Sequence, residues 1–197
     1  MKRSIKREET EGRLLEVGLS LFIQQGYHGT GLKEVVDQAQ MPKGSFYAYF
    51  DSKEAFGGSV VNHFAQQGLA RLAVSLEQAP DPLLGLRAFF QANRDKMESR
   101  GFAGGCLLGN FSNELGAQAH EITPHLLQGL GNLSLHFAEA LEKAQELGLV
   151  RQDLDASTLG DLLLNGWEGA LMRAKTQVSP EPLDQFLTSF FDHLLKP

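Results

Sequence analysis

Residues 42–54 bring together the residue types that grip a phosphate backbone: glycine, hydroxyl-bearing, aromatic and lysine side chains. Lysine can neutralise a phosphate, hydroxyls can bond phosphate oxygens, and glycine lets a backbone approach closely. Pro42 suits the first turn of a helix, so residues 43–49 are predicted to be helical. The residues expected to contact phosphates are Lys43, Gly44, Ser45, Tyr47, Tyr49 and, at the start of the next helix, Lys53. The alternative is that the aromatic residues are core and the lysines are ordinary solvated charges.

Two further segments would position this short helix. Leu32, Val35, Val36 and Ala39 recur at helical spacing, and residues 40–42 form a turn after them. A longer helix precedes both, with one apolar face made of Leu14, Leu15, Gly18, Leu21 and Phe22. Two short helices joined by a tight turn form a helix-turn-helix, whose second helix enters the major groove of DNA. Phe46 and Phe50, four residues apart, are expected to face the core.

Residues 12–56 resemble the N-terminal domain of TetR-family transcriptional regulators. The resemblance is carried by Gly26-Tyr27, Thr30, residues 43–47, Tyr49-Phe50 and Ser52-Lys53-Glu54. It implies an all-α fold and adds Thr30 to the expected DNA contacts. Three positions depart from the family pattern: Gly31 replaces a threonine, Gln40 replaces the glycine of the turn, and Pro42 replaces a serine.

The charge distribution agrees with a DNA-binding segment at the start of the chain. Residues 1–53 carry eight Lys and Arg against seven Asp and Glu, whereas residues 54–197 carry ten against seventeen. We therefore expect two domains: residues 1–53 with a basic N-terminal arm for DNA, and residues 54–197 for effector sensing and dimerisation. The alternative is that the arm is simply solvated, as mobile basic tails often are. No secretory signal or membrane-length apolar run is found, so a cytoplasmic protein is expected.

The segment beyond residue 54 is predicted to be helical throughout, with prolines and glycines at helix ends. The last two helices carry apolar stripes, made of Leu159, Leu163, Gly166, Trp167, Ala170, Leu171 and Ala174 in one and Leu183, Phe186, Leu187, Phe190, Phe191 and Leu194 in the other. In TetR-like proteins the final two helices pair across a two-fold axis, so a homodimer is expected, which would read a pseudo-palindromic operator. The stripes could instead pack within one subunit.

Cys106 is the only cysteine of the chain and follows Gly104-Gly105 at the predicted start of a helix. A helix N-terminus stabilises a thiolate, which favours reactivity, although a free cysteine is more often a small buried apolar residue. Gly105-Cys106-Leu107 resembles the branch of the TetR family that contains the electrophile-responsive repressors, such as the N-ethylmaleimide-responsive type. In that branch the cysteine is the sensor, and Lys175 matches a lysine that can lie beside it. Phe111 and Trp167 are candidates for lining an effector pocket.

These features favour a repressor of operator DNA that is released by an electrophile or oxidant at Cys106. The alternatives are release by a reversible small-molecule ligand with a structural Cys106, activation in place of repression, and an enzyme. His120, Glu121 and His125 lack the spacing of a helical zinc motif, and no nucleotide-binding or nucleophile motif is found. We therefore expect no enzymatic activity, no cofactor and no metal.

Overall fold

The computed structural model describes the backbone of residues 2–197 and the side chains of residues 7–42 and 44–197. Within the described residues every regular element is helical, which confirms the all-α prediction. The elements are α1 Lys2–Gly29, α2 Leu32–Gln38, a 3₁₀ helix Lys43–Ala48, α3 Lys53–Gln78, α4 Pro82–Ser99, α5 Leu107–Leu115, α6 Thr123–Glu146, α7 Ala156–Gln177 and α8 Glu181–Ser189, followed by a π-helical turn Phe190–Leu194.

Helices α3, α4 and α7 begin at residues whose side chains supply hydrogen-bond acceptors. Asp51-Ser52 before a helical pattern predicts a helix cap, and Ser52 Oγ accepts from Ala55 N at 2.8 Å at the start of α3. Asp81 accepts from Leu84 N at 2.8 Å at the start of α4, and Asp155 accepts from Thr158 N at 2.8 Å at the start of α7. Each side chain satisfies an amide that has no partner within its helix, which stabilises the helix by about 1 kcal/mol.

One compact unit consists of residues 1–65 and 107–129. Its core is aromatic: Phe22 lies 5.1 Å from Phe111 and Phe56 lies 5.3 Å from Phe46, measured between ring centroids. Phe46 and Phe50 are buried, as expected from their spacing. This unit joins the helix-turn-helix to α5 and the start of α6, so it extends beyond the domain boundary predicted at residue 53. That boundary stays a prediction about the chain's domains.

The second compact unit consists of residues 66–106 and 130–197. Phe90 lies at the centre of its core, with ring centroids 4.9 Å from Trp167 and 5.1 Å from Phe137. Two arginines of α4 fasten the C-terminal end of the chain. Arg94 donates to Asp184 at 2.8 and 3.1 Å, and Arg87 pairs with both carboxylate oxygens of Asp192. Hydrogen bonds from Arg87 lower the pKa of the Asp192 carboxyl.

Helix α5 is shorter than the sequence predicted. The spacing of Leu107, Leu108, Phe111 and Leu115 predicts a helix from Cys106 to about Ala119, but the helix runs from Leu107 to Leu115. Gly116 has a φ of +55°, in the left-handed region that ends helices and that glycine adopts without strain. The apolar periodicity carried on past this glycine, so it overestimated the length of the helix.

The apolar stripes of the last two helices are largely buried within the single chain. Leu159, Leu163 and Ala174 are inaccessible to solvent, and Leu183 is inaccessible as well. A Cβ added to Gly166 would lie 2.4 Å from the ring of Phe186, so this glycine allows α7 and α8 to approach within one subunit. The stripes are therefore core, and they do not themselves support the expected dimer. Among the described residues, no helix is both long and apolar enough to cross a membrane.

Candidate DNA-binding surface and sensing site

The turn of the helix-turn-helix is a Schellman motif at the end of α2. Met41 N donates to Val36 O at 2.9 Å and Gln40 N donates to Asp37 O at 3.1 Å. Gln40 adopts a φ of +56°, the left-handed conformation that usually selects glycine. The turn therefore forms with its hydrogen bonds intact, although the family's glycine is replaced.

The 3₁₀ helix Lys43–Ala48 presents its polar face to solvent. Tyr47 is 64% exposed, and a Cβ added to Gly44 would meet no atom within 4 Å, so the backbone there is open to a large partner. Ser45 Oγ donates to Pro42 O at 2.6 Å, which leaves its oxygen free to accept only. Tyr49 is partly buried, and the side chain of Lys43 lies outside the described residues.

Arg7 supports the same helix from α1. Its guanidinium donates to Ala48 O at 3.2 Å and lies 5.6 Å from the centroid of the Tyr49 ring. The sequence placed Arg7 in a basic arm, whereas the structure gives a helix that begins at Lys2. The side chains of residues 2–6 lie outside the described residues, so the role of the arm stays a prediction.

Thr30 is buried and Lys53 is partly buried, next to the expected DNA contacts. Thr30 is 1% exposed and its hydroxyl donates to Gly26 O at 2.8 Å. Lys53 Nζ donates to Tyr27 O at 2.6 Å and lies 4.3 Å from the centroid of the Tyr27 ring, and desolvation lowers the pKa of this lysine. Lys53 thus joins α3 to the end of α1, whereas Thr30 stabilises the end of α1 itself. This geometry does not favour direct phosphate contacts by them.

Cys106 lies between a run of left-handed residues and the first turn of α5. Gly101, Phe102, Gly104 and Gly105 all have positive φ, so the chain turns tightly before the cysteine. The thiol is partly buried and forms no disulfide. Its hydrogen-bond partner is Glu168 of α7, and desolvation raises the pKa of that carboxyl while the hydrogen bond from Cys106 lowers it in part.

The grouping of the other predicted sensing residues around Cys106 stays a prediction. Lys175 is exposed and follows Glu168 by two turns of α7, roughly 10 Å along the helix axis. Trp167 packs on Phe90 and on Phe186, 6.0 Å away between centroids. Phe111 is fully buried against Phe22 and Tyr27 in the first compact unit. Cys106 hydrogen bonds Glu168, whose pKa is raised, and Phe111 lies 5.7 Å from the ring of Tyr27, whose pKa is also raised by desolvation. Glu168 was not identified from the sequence because it lies 62 residues from Cys106.

Comparison with known proteins decides what this helix-turn-helix belongs to. Residues 14–56 match the family model described as bacterial regulatory proteins of the tetR family, and residues 82–190 match the tetracyclin repressor-like C-terminal domain. The chain belongs to the TetR family. It is therefore a transcriptional regulator and not an enzyme.

Individual relatives place the chain within the TetR family. It is 36% identical to the repressor DhaR of Mycobacterium sp. strain GP1, over 96% of this chain and 94% of that protein. It is 32% identical to the repressor NemR of Escherichia coli K12, over 91% and 90%. The crystal structure of the reduced form of E. coli NemR superposes with a TM-score of 0.87 at 29% identity, covering 96% of this chain and 98% of that one.

Proposed function

We propose that this TetR-family chain is a cytoplasmic repressor that binds a pseudo-palindromic operator as a homodimer and is released when an electrophile or oxidant reacts at Cys106. The observation that carries the DNA-binding part is the open 3₁₀ helix, where Tyr47 and Gly44 face solvent beside a buried Phe46. A helix anchored by its aromatic core residue and open on its polar face can enter a major groove without rearranging.

The DNA contacts in this proposal come from Lys43, Gly44, Ser45, Tyr47 and Tyr49. Tyr47 offers a hydroxyl to phosphate and a ring to the sugar and base edges, whereas Gly44 lets the backbone amide reach phosphate. Thr30 and Lys53 act indirectly, because their polar atoms bond backbone oxygens at the end of α1 and so support the residues that contact DNA.

Tyr47→Ala tests the docking face. We expect operator affinity to fall about ten- to hundredfold, because both the phosphate contact and the ring contact are lost. Leu84→Ala removes an exposed apolar side chain from α4 and should leave affinity unchanged, which makes it the matched control. Fluorescence anisotropy with DNA from the protein's own promoter region measures both. Equal affinity of Tyr47→Ala and wild type would show that another surface docks on DNA.

The proposed dimer uses a different face of α7 from the buried stripe. Leu162 is 43% exposed, Met172 is 63% exposed, and a Cβ added to Gly169 would meet no atom within 4 Å. These residues follow one another at intervals of seven and three, so they share one side of the helix. An apolar, glycine-containing face on the penultimate helix suits close pairing with the same helix of a second subunit, as the family relationship suggests.

The sensing step would use Cys106 and Glu168 together. As the sulfur bonds to an electrophilic carbon, the thiol proton passes to the Glu168 carboxylate. For an α,β-unsaturated carbonyl, the displaced electron pair moves to the carbonyl oxygen, and the same proton then returns to the α-carbon. Burial supports this assignment, because a carboxyl whose pKa is raised takes up a proton more readily near neutral pH.

A reversible ligand is the second candidate effector, and the same carboxyl favours it. When Glu168 is protonated it can donate a hydrogen bond to a carbonyl of a ligand without any covalent bond forming. Cys106 would then be a small packing residue. A Cys106→Ser variant separates the two candidates, since only covalent sensing needs the sulfur.

A further inference from the structure

The C-terminal end of α1 contains a sharp break at Gly26. This residue has φ +76° and ψ 177°, so the helical hydrogen-bond ladder is interrupted there. Tyr27 and His28 follow the break, and their amides have to find acceptors outside α1. The same break sets the direction in which the chain leaves α1 toward α2.

Glu114 of α5 supplies both acceptors. Its Oε2 accepts from Tyr27 N at 2.8 Å, and its Oε1 accepts from His28 N at 2.7 Å. A Cβ added to Gly26 would lie 2.7 Å from Glu114 Oε2, so glycine is needed there for the carboxylate as well as for the positive φ. A carboxylate that bonds two successive amides is a strong, charge-assisted contact.

Lys53 contacts the backbone at the same break, at the carbonyl oxygen of Tyr27. Its ammonium bonds Tyr27 O, while the negative charge of Glu114 acts to raise the pKa of this lysine against desolvation. The Tyr27 residue is thus held at its N–H by α5 and at its C=O by α3. Both contacts lie within the first compact unit.

We propose that Glu114 is a positioning residue for operator binding. Its carboxylate fixes the break at Gly26, and the break fixes where α2 and the 3₁₀ helix stand relative to α1. DNA contact is not part of this role. The proposal rests on operator binding by this chain and does not depend on how the effector is sensed.

Whether operator affinity rises or falls when Glu114 is replaced distinguishes a positioning role from an effect of its charge alone. Removing a negative charge from a DNA-binding unit reduces repulsion by phosphates, so charge alone predicts tighter binding. Positioning predicts weaker binding, because in Glu114→Gln the side-chain NH₂ group faces an amide N–H, so one of the two hydrogen bonds is lost. Glu114→Asp keeps the charge but is one methylene shorter, so it cannot reach both amides.

The experiment compares operator affinity for wild type, Glu114→Gln, Glu114→Asp and the control Asp37→Asn. Asp37 is an exposed acid on α2 of the same unit, so Asp37→Asn removes the same charge from a surface position. We expect both Glu114 variants to bind about tenfold more weakly, with an unchanged salt slope because no cation that meets phosphate is lost. Asp37→Asn should bind as tightly as wild type or more tightly.

Hydrogen exchange at the two amides provides a readout that distinguishes positioning from general destabilisation. In Glu114→Gln the amides of Tyr27 and His28 should exchange faster, while protected amides in α4 and α7 keep the wild-type rate. Unchanged affinity in both Glu114 variants, or tighter binding by Glu114→Gln that matches Asp37→Asn, would overturn the proposal. Faster exchange spread evenly over the whole chain would also overturn it.

Discussion

Glu168 is the residue whose chemistry differs most from what its position in the sequence suggested. It falls on a helix among apolar residues, where an acid would be taken as an exposed charge, yet it hydrogen bonds Cys106 and desolvation raises the pKa of its carboxyl. Cys106 could be identified from the sequence because it is unique and follows two glycines. Its partner could not, because a contact over 62 residues depends on how α7 packs.

The raised pKa of the Glu168 carboxyl predicts how the stability of the protein depends on pH. Between the ordinary Glu pKa and the raised one, the folded protein binds more protons than the unfolded chain, so the contribution of Glu168 to stability falls as pH rises. Glu168→Gln removes this penalty. We therefore expect the variant to gain free energy of unfolding relative to wild type at pH 7 and to gain less at pH 4.

Urea unfolding at the two pH values checks this expectation at one protein concentration. Glu142→Gln, at an exposed position of α6, serves as the control for removing a charge. If Glu168→Gln changes the free energy of unfolding by the same amount at pH 4 and at pH 7, the Glu168 carboxyl is not desolvated in the folded protein.

At the scale of elements, the turn after α2 contains a residue in a strained backbone conformation, and the free-energy cost of that strain can be measured. Gln40 holds a left-handed conformation that costs a residue with a Cβ about 1 kcal/mol. Gln40→Gly should therefore raise the free energy of unfolding by up to about 1 kcal/mol. Gln38→Gly, in the right-handed last turn of α2, should lower it by about the same amount. Equal destabilisation by both variants in urea unfolding would contradict the assigned strain.

The start and end of most helices could be predicted because they depend on local chemistry. In the sequence, Ser52 and Thr123-Pro124 are typical of helix starts, and Gly148 is typical of a helix end; α6 begins at Thr123, and Gly148, with a φ of +69°, follows its end. Local chemistry does not reveal which amides a distant side chain will cap. The bond from Glu114 to the end of α1 spans 87 residues, so the joining of α5 to the DNA-binding helices emerged only from the fold.

At the scale of the whole molecule, the sequence identified apolar stripes but not what covers them. The stripes on α7 and α8 are mostly core of one chain, and the exposed face that includes Leu162 and Met172 was hidden among polar residues in the pattern. Periodicity identifies the main apolar face of a helix. A second, smaller apolar face is recognised only in the structure, where the first face is buried and the second stays exposed.

Met172→Glu tests whether that exposed face joins two subunits. A charge placed on each copy of a two-fold interface meets its symmetry mate, so we expect a monomer at concentrations where wild type is a dimer. Leu127→Glu, at a 68% exposed position on α6, is the control and should remain dimeric. Sedimentation velocity gives the mass of each species. A dimeric Met172→Glu variant would place the interface elsewhere.

The most direct test of the account is operator release by N-ethylmaleimide, measured as the affinity of wild type and Cys106→Ser for promoter DNA before and after treatment. The reagent has one thiol target, because Cys106 is the only cysteine of the chain. We expect treatment to lower the affinity of wild type for promoter DNA about tenfold or more, which corresponds to an allosteric coupling free energy of a few kcal/mol. Treated Cys106→Ser should stay bound to the DNA. Tight binding by treated wild type, with Cys106 fully alkylated by mass spectrometry, would contradict covalent sensing.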